Sequence, residues 1–288
     1  MDLAAVILIQ VLYAIASLVV ISSGLAVIFG MMKVINLAHG EFMMLGAYAT
    51  IEAIRVGINL WIAIFVVAPL AVGVIGIVLE RIFIRHLYGR MVDTMLATWG
   101  LSLLLIGVVT SIAGNTTAGV SAPLGNFTIG AYSVSAYTLV IIAVGVVLAL
   151  ALRWVLLHTS LGLIARGTTQ NPKMADALGI NPGVVYSVTF AVGAALSGLA
   201  GGLLAPLTGV VPTMGGAFIA KAFITVIAGG PAILVGLISA SALFGTINQI
   251  ATFVTTPVLG EVALLVAAII MLRLLPQGIT GRFFKRSL

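Results

Sequence analysis

Few side chains in this sequence are equipped for chemistry, and their spacing restricts what that chemistry could be. His39, His86 and His158 stand far apart, with no H-E-x-x-H pair and no cysteine anywhere, so neither a zinc site nor a disulfide framework is expected. No G-x-x-x-x-G-K-[ST] run occurs, so this chain does not bind ATP through a P-loop. An enzyme working inside a membrane needs a nucleophile, a base or a metal facing one cavity, and none is visible. No catalytic and no metal-ligating residue is therefore assigned. The densest polar run is N-L-A-H-G-E, which sets Asn36, His39 and Glu41 at the start of an apolar segment. His39 and Glu41 are two apart and would not share a helical face, which argues against a catalytic pair. Two readings of the run remain. Asparagine suits a helix cap and a carboxylate suits the positive end of a helix dipole, which makes it a plain helix start. Alternatively, Asn36 and His39 line an unwound part of a pathway, because polar groups inside a bilayer are expensive and usually functional.

The second polar island is R-G-T-T-Q-N-P-K-M-A-D-A-L-G-I-N-P, residues 166–182. Asn171 suits the cap of a helix whose first residue is Pro172, since proline's missing N–H is not needed there and its φ is preset. The helix then reads PKMADAL and stops at Gly179, a residue type that accepts the left-handed conformation at a helix end. Asn181 and Pro182 repeat the start signal. Met174 and Leu178, four apart, share a face with Ala175 beside them, while Lys173 and Asp176 lie toward the other side. Seven residues do not hold a helix unaided, so the segment either docks on a partner or rests on lipid headgroups.

The elements that must position these groups are dictated by composition. Of 288 residues, 62% are hydrophobic and 7% charged, and the mean hydropathy is +1.30. A soluble domain carries roughly 25% charged residues, so the surface here must face lipid. Apolar runs fall at about 3–30, 34–54, 58–80, 94–113, 136–157, 183–206, 232–254 and 257–275. Each approaches or exceeds the ~20 residues that span a bilayer core. A ninth run from Gly215 to Gly229 is too short for an ordinary span. The first run lacks the basic start of a signal peptide and is expected to be a retained span. The fold expected is all-α and polytopic: eight long transmembrane helices plus one short or broken helix, over a single domain 1–288.

Charge orients this set. The net charge of +6 comes from basic residues clustered in short loops, which explains it better than nucleic-acid binding does. Arg81, Arg85 and Arg90 share one loop; Arg153, Arg166 and Lys173 lie in or beside another; Arg273, Arg282, Lys285 and Arg286 lie toward the C-terminus. These regions are expected in the cytoplasm, and the N-terminus and the uncharged stretch 114–136 outside. Parity then requires the short run at 215–229 to complete a crossing, as discontinuous helices do beside translocation paths. In GAALSGLAGG, Gly193, Ser197 and Gly201 are four apart, with Ala194, Gly198 and Gly202 on the next stripe. Small residues so spaced let backbones approach closely, within one bundle in preference to a subunit contact. Lys221 either snorkels to the outer interface or faces the pathway, and snorkelling is the default expectation. Glu52 and Arg55 suit a surface pair, and Asp93 and Glu261 suit helix starts.

LGLIARGTTQNPKMADALGINPGVVYSVTFAVGAALSGLAGGLLAP resembles the cytoplasmic loop and following span of branched-chain amino acid ABC permeases. GLAVIFGMMKVINLAHGEFMMLGAY and LLPQGITGRFF are similar to that family's first segments and its usual ending, so the resemblance covers nearly the whole chain. One departure is PAILVG after AGG, where the family commonly continues with a glycine-rich turn. The resemblance implies that 160–182 is the coupling loop, with Arg166, Gln170, Asn171, Met174, Leu178 and Gly179 at positions contacting a cytoplasmic ATPase. It also places Asn36, His39 and Glu41 in the permease's central bundle, which favours the pathway reading of that run.

The expected function is the permease subunit of a binding-protein-dependent importer in a bacterial inner membrane. Two ATPase subunits would consume the ATP, a related second permease would complete the core and a periplasmic protein would deliver substrate. The chain itself would hold no cofactor. Branched-chain and hydrophobic amino acids come first as cargo, with urea or short-chain amides as the alternative, since the family contains both. A secondary transporter usually embeds carboxylates within its spans, whereas every acidic residue here sits at or near a span's end.

Overall fold

The computed structural model describes residues 2–283. Lys285 and Arg286, counted above among the C-terminal positive charges, lie outside the described residues. The chain runs through α1 (Asp2–Met32), α2 (His39–Arg55), α3 (Leu60–Ile62), a π turn at Ala63–Val67, α4 (Ala68–Ile82), a 3₁₀ turn at Ile84–Leu87 and α5 (Met91–Ala113). A hairpin of β1 (Asn126–Ile129) and β2 (Tyr132–Ser135) follows. Then come α6 (Tyr137–His158), α7 (Ser160–Gln170), α8 (Pro172–Ala177), α9 (Pro182–Leu204), α10 (Gly215–Gly229), α11 (Ile233–Val254), α12 (Pro257–Leu274) and α13 (Gly278–Phe283).

Among the described residues, seven helical stretches are long and apolar enough to cross a membrane. The protein is thus the all-α polytopic type that its composition dictates. The second apolar run, expected as a helix over 34–54, differs: α2 begins only at His39 and has 17 residues. The reason is local. Lys33 takes a left-handed φ of 55°, and residues 33–36 have no helical or turn structure. The short tenth helix has 15 residues, or roughly 22 Å at 1.5 Å per residue. Between α3 and α4 the helix continues through its π turn, where the N–H of Ala68 reaches back to the carbonyl of Ala63. Pro69 explains the wide turn, since its ring would clash with the carbonyl four residues earlier.

Two compact units make up the chain. One consists of Ser23–Ser121 and Arg153–Ala220. Its centre is the packing of α9 against α2 and α4, and its core includes Phe42, Ala47, Val72, Phe190 and Ala194. The two small-residue stripes of α9 carry this packing. A Cβ on Gly193 would meet Ile28, one on Gly198 would meet Val72, and one on Gly202 would meet Thr50. Gly46 and Gly201 bring the α2 and α9 backbones together in the same way. The stripe therefore works inside this unit, as its spacing favours.

The other unit consists of Met1–Ser22, Ala122–Leu152 and Lys221–Leu288. Its core gathers Leu18, Phe244, Leu264, Ala268 and Met271, with α11 packed on α12 and α13. Gly230 after α10 takes a φ of 86° and Gly278 one of 76°. Thr280 closes this corner: its hydroxyl donates to the carbonyl of Gly229 at 2.6 Å and accepts from the N–H of Ala232 at 3.2 Å. The A-G-G-P-A-I run is thus pinned by the segment preceding the C-terminus. The uncharged loop expected over 114–136 contains the β1–β2 hairpin, paired in register from Asn126↔Ser135 to Ile129↔Tyr132. Its four-residue strands were too short to be read from alternation alone.

Candidate functional site: a pinned helix break and an exposed short helix

The N-L-A-H-G-E run folds into a tight turn leading into α2. Asn36 does not cap α2 itself; Ala38 occupies that position. Instead the Asn36 side-chain oxygen accepts from the N–H of Ala38 at 3.0 Å, and its carbonyl accepts from the N–H of His39 at 3.3 Å. The turn is anchored from α5, where Thr98 Oγ1 accepts from the N–H of Leu37 at 3.0 Å. Thr94, Thr98 and Ser102, four apart on α5, are all buried, and the Ser102 hydroxyl reaches the Glu41 carboxyl. These hydroxyls were missed in the sequence, although a Thr/Ser stripe at a spacing of four in an apolar helix was the available signal.

Asn36 and His39 are fully buried and Glu41 is 3% exposed. The structure therefore brings all three into the interior of the first-described unit. His39 Nδ1 lies 3.0 Å from Ser197 Oγ, which itself donates to the carbonyl of Gly193 at 2.8 Å. A serine hydroxyl has one hydrogen, so this geometry assigns the proton to His39 Nδ1, which donates to Ser197. Asn36 Nδ2 and Glu41 Oε2 are buried without a hydrogen-bond partner among the described residues. A donor and an acceptor left open beside a helix break suit a polar ligand or water. Removing the Ser197 hydroxyl strands a buried N–H at a cost of about 1–3 kcal/mol. Ser197→Ala should therefore lower the Tm in detergent by several degrees, while Ser239→Ala on α11 should change it little.

The 166–182 segment has the caps expected of it. Asn171 Oδ1 accepts from the N–H of Met174 at 3.0 Å, with Pro172 in the first helical turn. Gly179 has a φ of 83°, and Asn181 Oδ1 accepts from Gly183 and Val184 at 2.9 and 3.3 Å to open α9. Within α8 only Ala175 is buried; Met174 is 57% and Leu178 just beyond is 73% exposed. Gln170, Asn171 and Gly179 are exposed as well. Arg166 is half-buried, and its Nη1 has no hydrogen-bond partner among the described residues. Thr169 donates to the carbonyl of Met31 at 2.7 Å, tying α7 to the end of α1, next to the helix break.

A third polar cluster was not singled out from the sequence. Glu80, fully buried in the last turn of α4, accepts from Ser187 of α9 at 2.5 Å and from the Tyr88 hydroxyl. Arg85 lies 3.7 Å from the same carboxylate and donates to Ser187 Oγ at 3.2 Å. The Tyr88 ring meets Tyr186 edge-on with centroids 5.1 Å apart. Burial, and then the Glu80 carboxylate that accepts its proton, hold the Tyr88 phenol well above its usual range, so it stays a donor. The available signal was a carboxylate inside a span's last turn, followed by arginines.

Elsewhere, Glu52 and Arg55 form the expected surface pair at 2.6 Å, and Arg90 sits 3.8 Å from Asp93. Lys221 has an ion-pair partner: its ammonium lies 2.6 Å from Glu261, and its side chain is 25% exposed. Glu261 thereby serves as an ion-pair partner as well as an acidic residue near the start of α12. Among the described residues, no group of three or more potential metal-binding side chains is present.

A family model described as branched-chain amino acid transport system / permease component matches residues 7–275. The high-affinity branched-chain amino acid transport system permease protein LivH of Salmonella typhimurium is 27% identical over 278 residues, covering 91% of this chain and 90% of its own. The corresponding protein BraD of Pseudomonas aeruginosa is 28% identical over 279 residues, covering 91% of each chain. A probable branched-chain amino acid transport permease protein LivH of Methanocaldococcus jannaschii is 26% identical over 291 residues, covering 93% of this chain and 90% of its own. No solved structure matches. With the family match running unbroken from α1 to the residue after α12, the chain belongs to the family of branched-chain amino acid transport system permease components.

Proposed function

We propose that this chain is the permease subunit of a binding-protein-dependent ABC importer that carries branched-chain and other hydrophobic amino acids inward across a bacterial cell membrane. The observation that carries the reading is the family match over 7–275. The substrate follows the printed names of the relatives. The whole of 1–288 is one permease domain with its coupling loop at 160–182, and ATP is used by two separate ATPase subunits. The short helix with exposed Met174 and Leu178 supports that division of labour, since it offers an apolar surface that none of the described residues covers. Arg166, Gln170, Asn171, Met174, Leu178 and Gly179 form the ATPase contact. Arg166 is suited to an acidic group, and Met174 and Leu178 to an apolar groove.

A related, non-identical permease completes the core, and a substrate-binding protein delivers cargo from outside. The N-terminus faces outward and the coupling loop and C-terminus face the cytoplasm, following the clusters of arginine and lysine. Asn36, His39 and Glu41 belong to the translocation pathway, the open Asn36 amide and Glu41 oxygen providing its polar groups when the surrounding helices separate. The test is competitive uptake into vesicles holding the assembled transporter and its binding protein. ATP-dependent uptake of labelled leucine should be blocked by valine and untouched by urea. No leucine uptake, with ATP-dependent uptake of urea or acetamide, would move the cargo to the amides and leave the permease role in place.

A further inference from the structure

We infer that Glu80 is a positioning residue for coupling: its carboxylate clamps α9 to α4 where motion of the 166–179 segment enters the membrane. The inference rests on the reading of that segment as the ATPase contact. The link between α8 and α9 is only residues 178–181, and it is not slack. Gly179 fixes a left-handed turn, the N–H of Ile180 bonds back to the carbonyl of Ala175 at 3.0 Å, and Asn181 caps α9. A displacement of α8 is therefore delivered to the first turns of α9 with little lost in the connection.

The first polar contact from another element that α9 meets after its cap is made by Ser187, the sixth residue of α9, and it is the Glu80 carboxylate. Glu80 holds it together with Arg85 and Tyr88, so the end of α4, the turn after it and the start of α9 share one ionic network around a buried carboxylate, with Arg85 half-exposed at its edge. A buried carboxylate favours the arrangement that keeps its partners, because leaving it half-satisfied is strongly disfavoured. Further along the same helix, Ser197 is hydrogen-bonded to His39 beside the helix break. Helix α9 thus carries polar contacts at Ser187 and at Ser197, and Glu80 makes the end of α4 move with its first turns. None of these side chains is placed in the ATPase contact or in the pathway except His39, so Glu80 acts only through other groups.

The experiment uses the complete transporter, with its ATPases, partner permease and binding protein, reconstituted in proteoliposomes. Leucine uptake and ATP hydrolysis are measured on the same preparations. Glu80→Gln and Ser187→Ala should leave ATPase co-purification and hydrolysis in place, while leucine imported per ATP falls on the order of tenfold, the loss expected for one hydrogen bond to a buried charge. The double variant should be no worse than Glu80→Gln alone, because the Ser187 contact is one of those that Glu80→Gln already disrupts. If Glu80→Gln fails to assemble, Ser187→Ala and Tyr88→Phe decide, since each removes one hydroxyl and keeps the carboxylate beside Arg85. An unchanged import-to-hydrolysis ratio in the assembled variants overturns the inference, whether both rates hold or both fall together. Failure of the permease reading would show separately, as wild-type transporter that imports nothing when ATP is supplied.

Discussion

Replacing Gly201 with valine is expected to leave almost no correctly folded protein. A Cβ at this position would stand 2.6 Å from the backbone carbonyl carbon of Met43 and overlap its oxygen. The obstacle is main chain in the second turn of α2, so no side-chain rotation relieves it. Separating α2 from α9 would undo the packing around Phe42 and Phe190, whose rings meet edge-on at 5.9 Å. It would also pull His39 from Ser197. The cost should therefore exceed the roughly 1–3 kcal/mol of ordinary overpacking in a core. Yield of monodisperse protein from detergent-solubilised membranes, with a thermal unfolding trace on whatever is recovered, measures it. The control is Gly107→Ala on α5, where an added methyl meets nothing within 4 Å; its yield and Tm should match wild type. A normal yield of Gly201→Val with a wild-type Tm would show that α2 and α9 do not approach as described.

The same two helices show why the sequence was legible in part. Spans announce themselves because a bilayer demands long apolar helices, and the small-residue stripe of α9 was visible because close packing needs a repeat of four. Caps were legible for the same kind of reason. Asn171, Pro172, Gly179 and Asn181 each have a backbone role that few other residues fill, and each has that role in the structure. Hydrogen bonds that join distant segments were not legible. Nothing in the local pattern of α4 shows that Glu80 will meet Ser187, 107 positions away. Nor does the pattern of α5 show that Thr98 will hold the turn at Leu37, 61 positions before it. The late start of α2 belongs to the same class. Its apolar run is continuous in sequence, and the interruption is supported by a hydroxyl from another helix.

Placing aspartate at both Met174 and Leu178 is expected to abolish ATP-driven uptake while leaving the permease itself intact. Both side chains are exposed, and neither supports the fold, which rests on the caps and on buried Ala175. Membrane insertion, yield and Tm should therefore stay close to wild type. On the ATPase side the change is severe if the pair fills an apolar groove. Burying two such side chains contributes roughly 1.5–3 kcal/mol each, so their loss alone weakens docking by about 10²–10⁴-fold. Two desolvated carboxylates would add to that. Lys173→Ala on the same helix gives the comparison, because an exposed charge of this kind contributes little and should change uptake only modestly. Co-purification of the ATPases on tagged permease, measured beside leucine uptake in vesicles, separates the two effects. Retained ATPase with retained uptake in the double aspartate variant would mean that force enters the membrane elsewhere than α8. Lost ATPase beside an unaltered permease would locate the driving contact on two exposed side chains that the fold does not need.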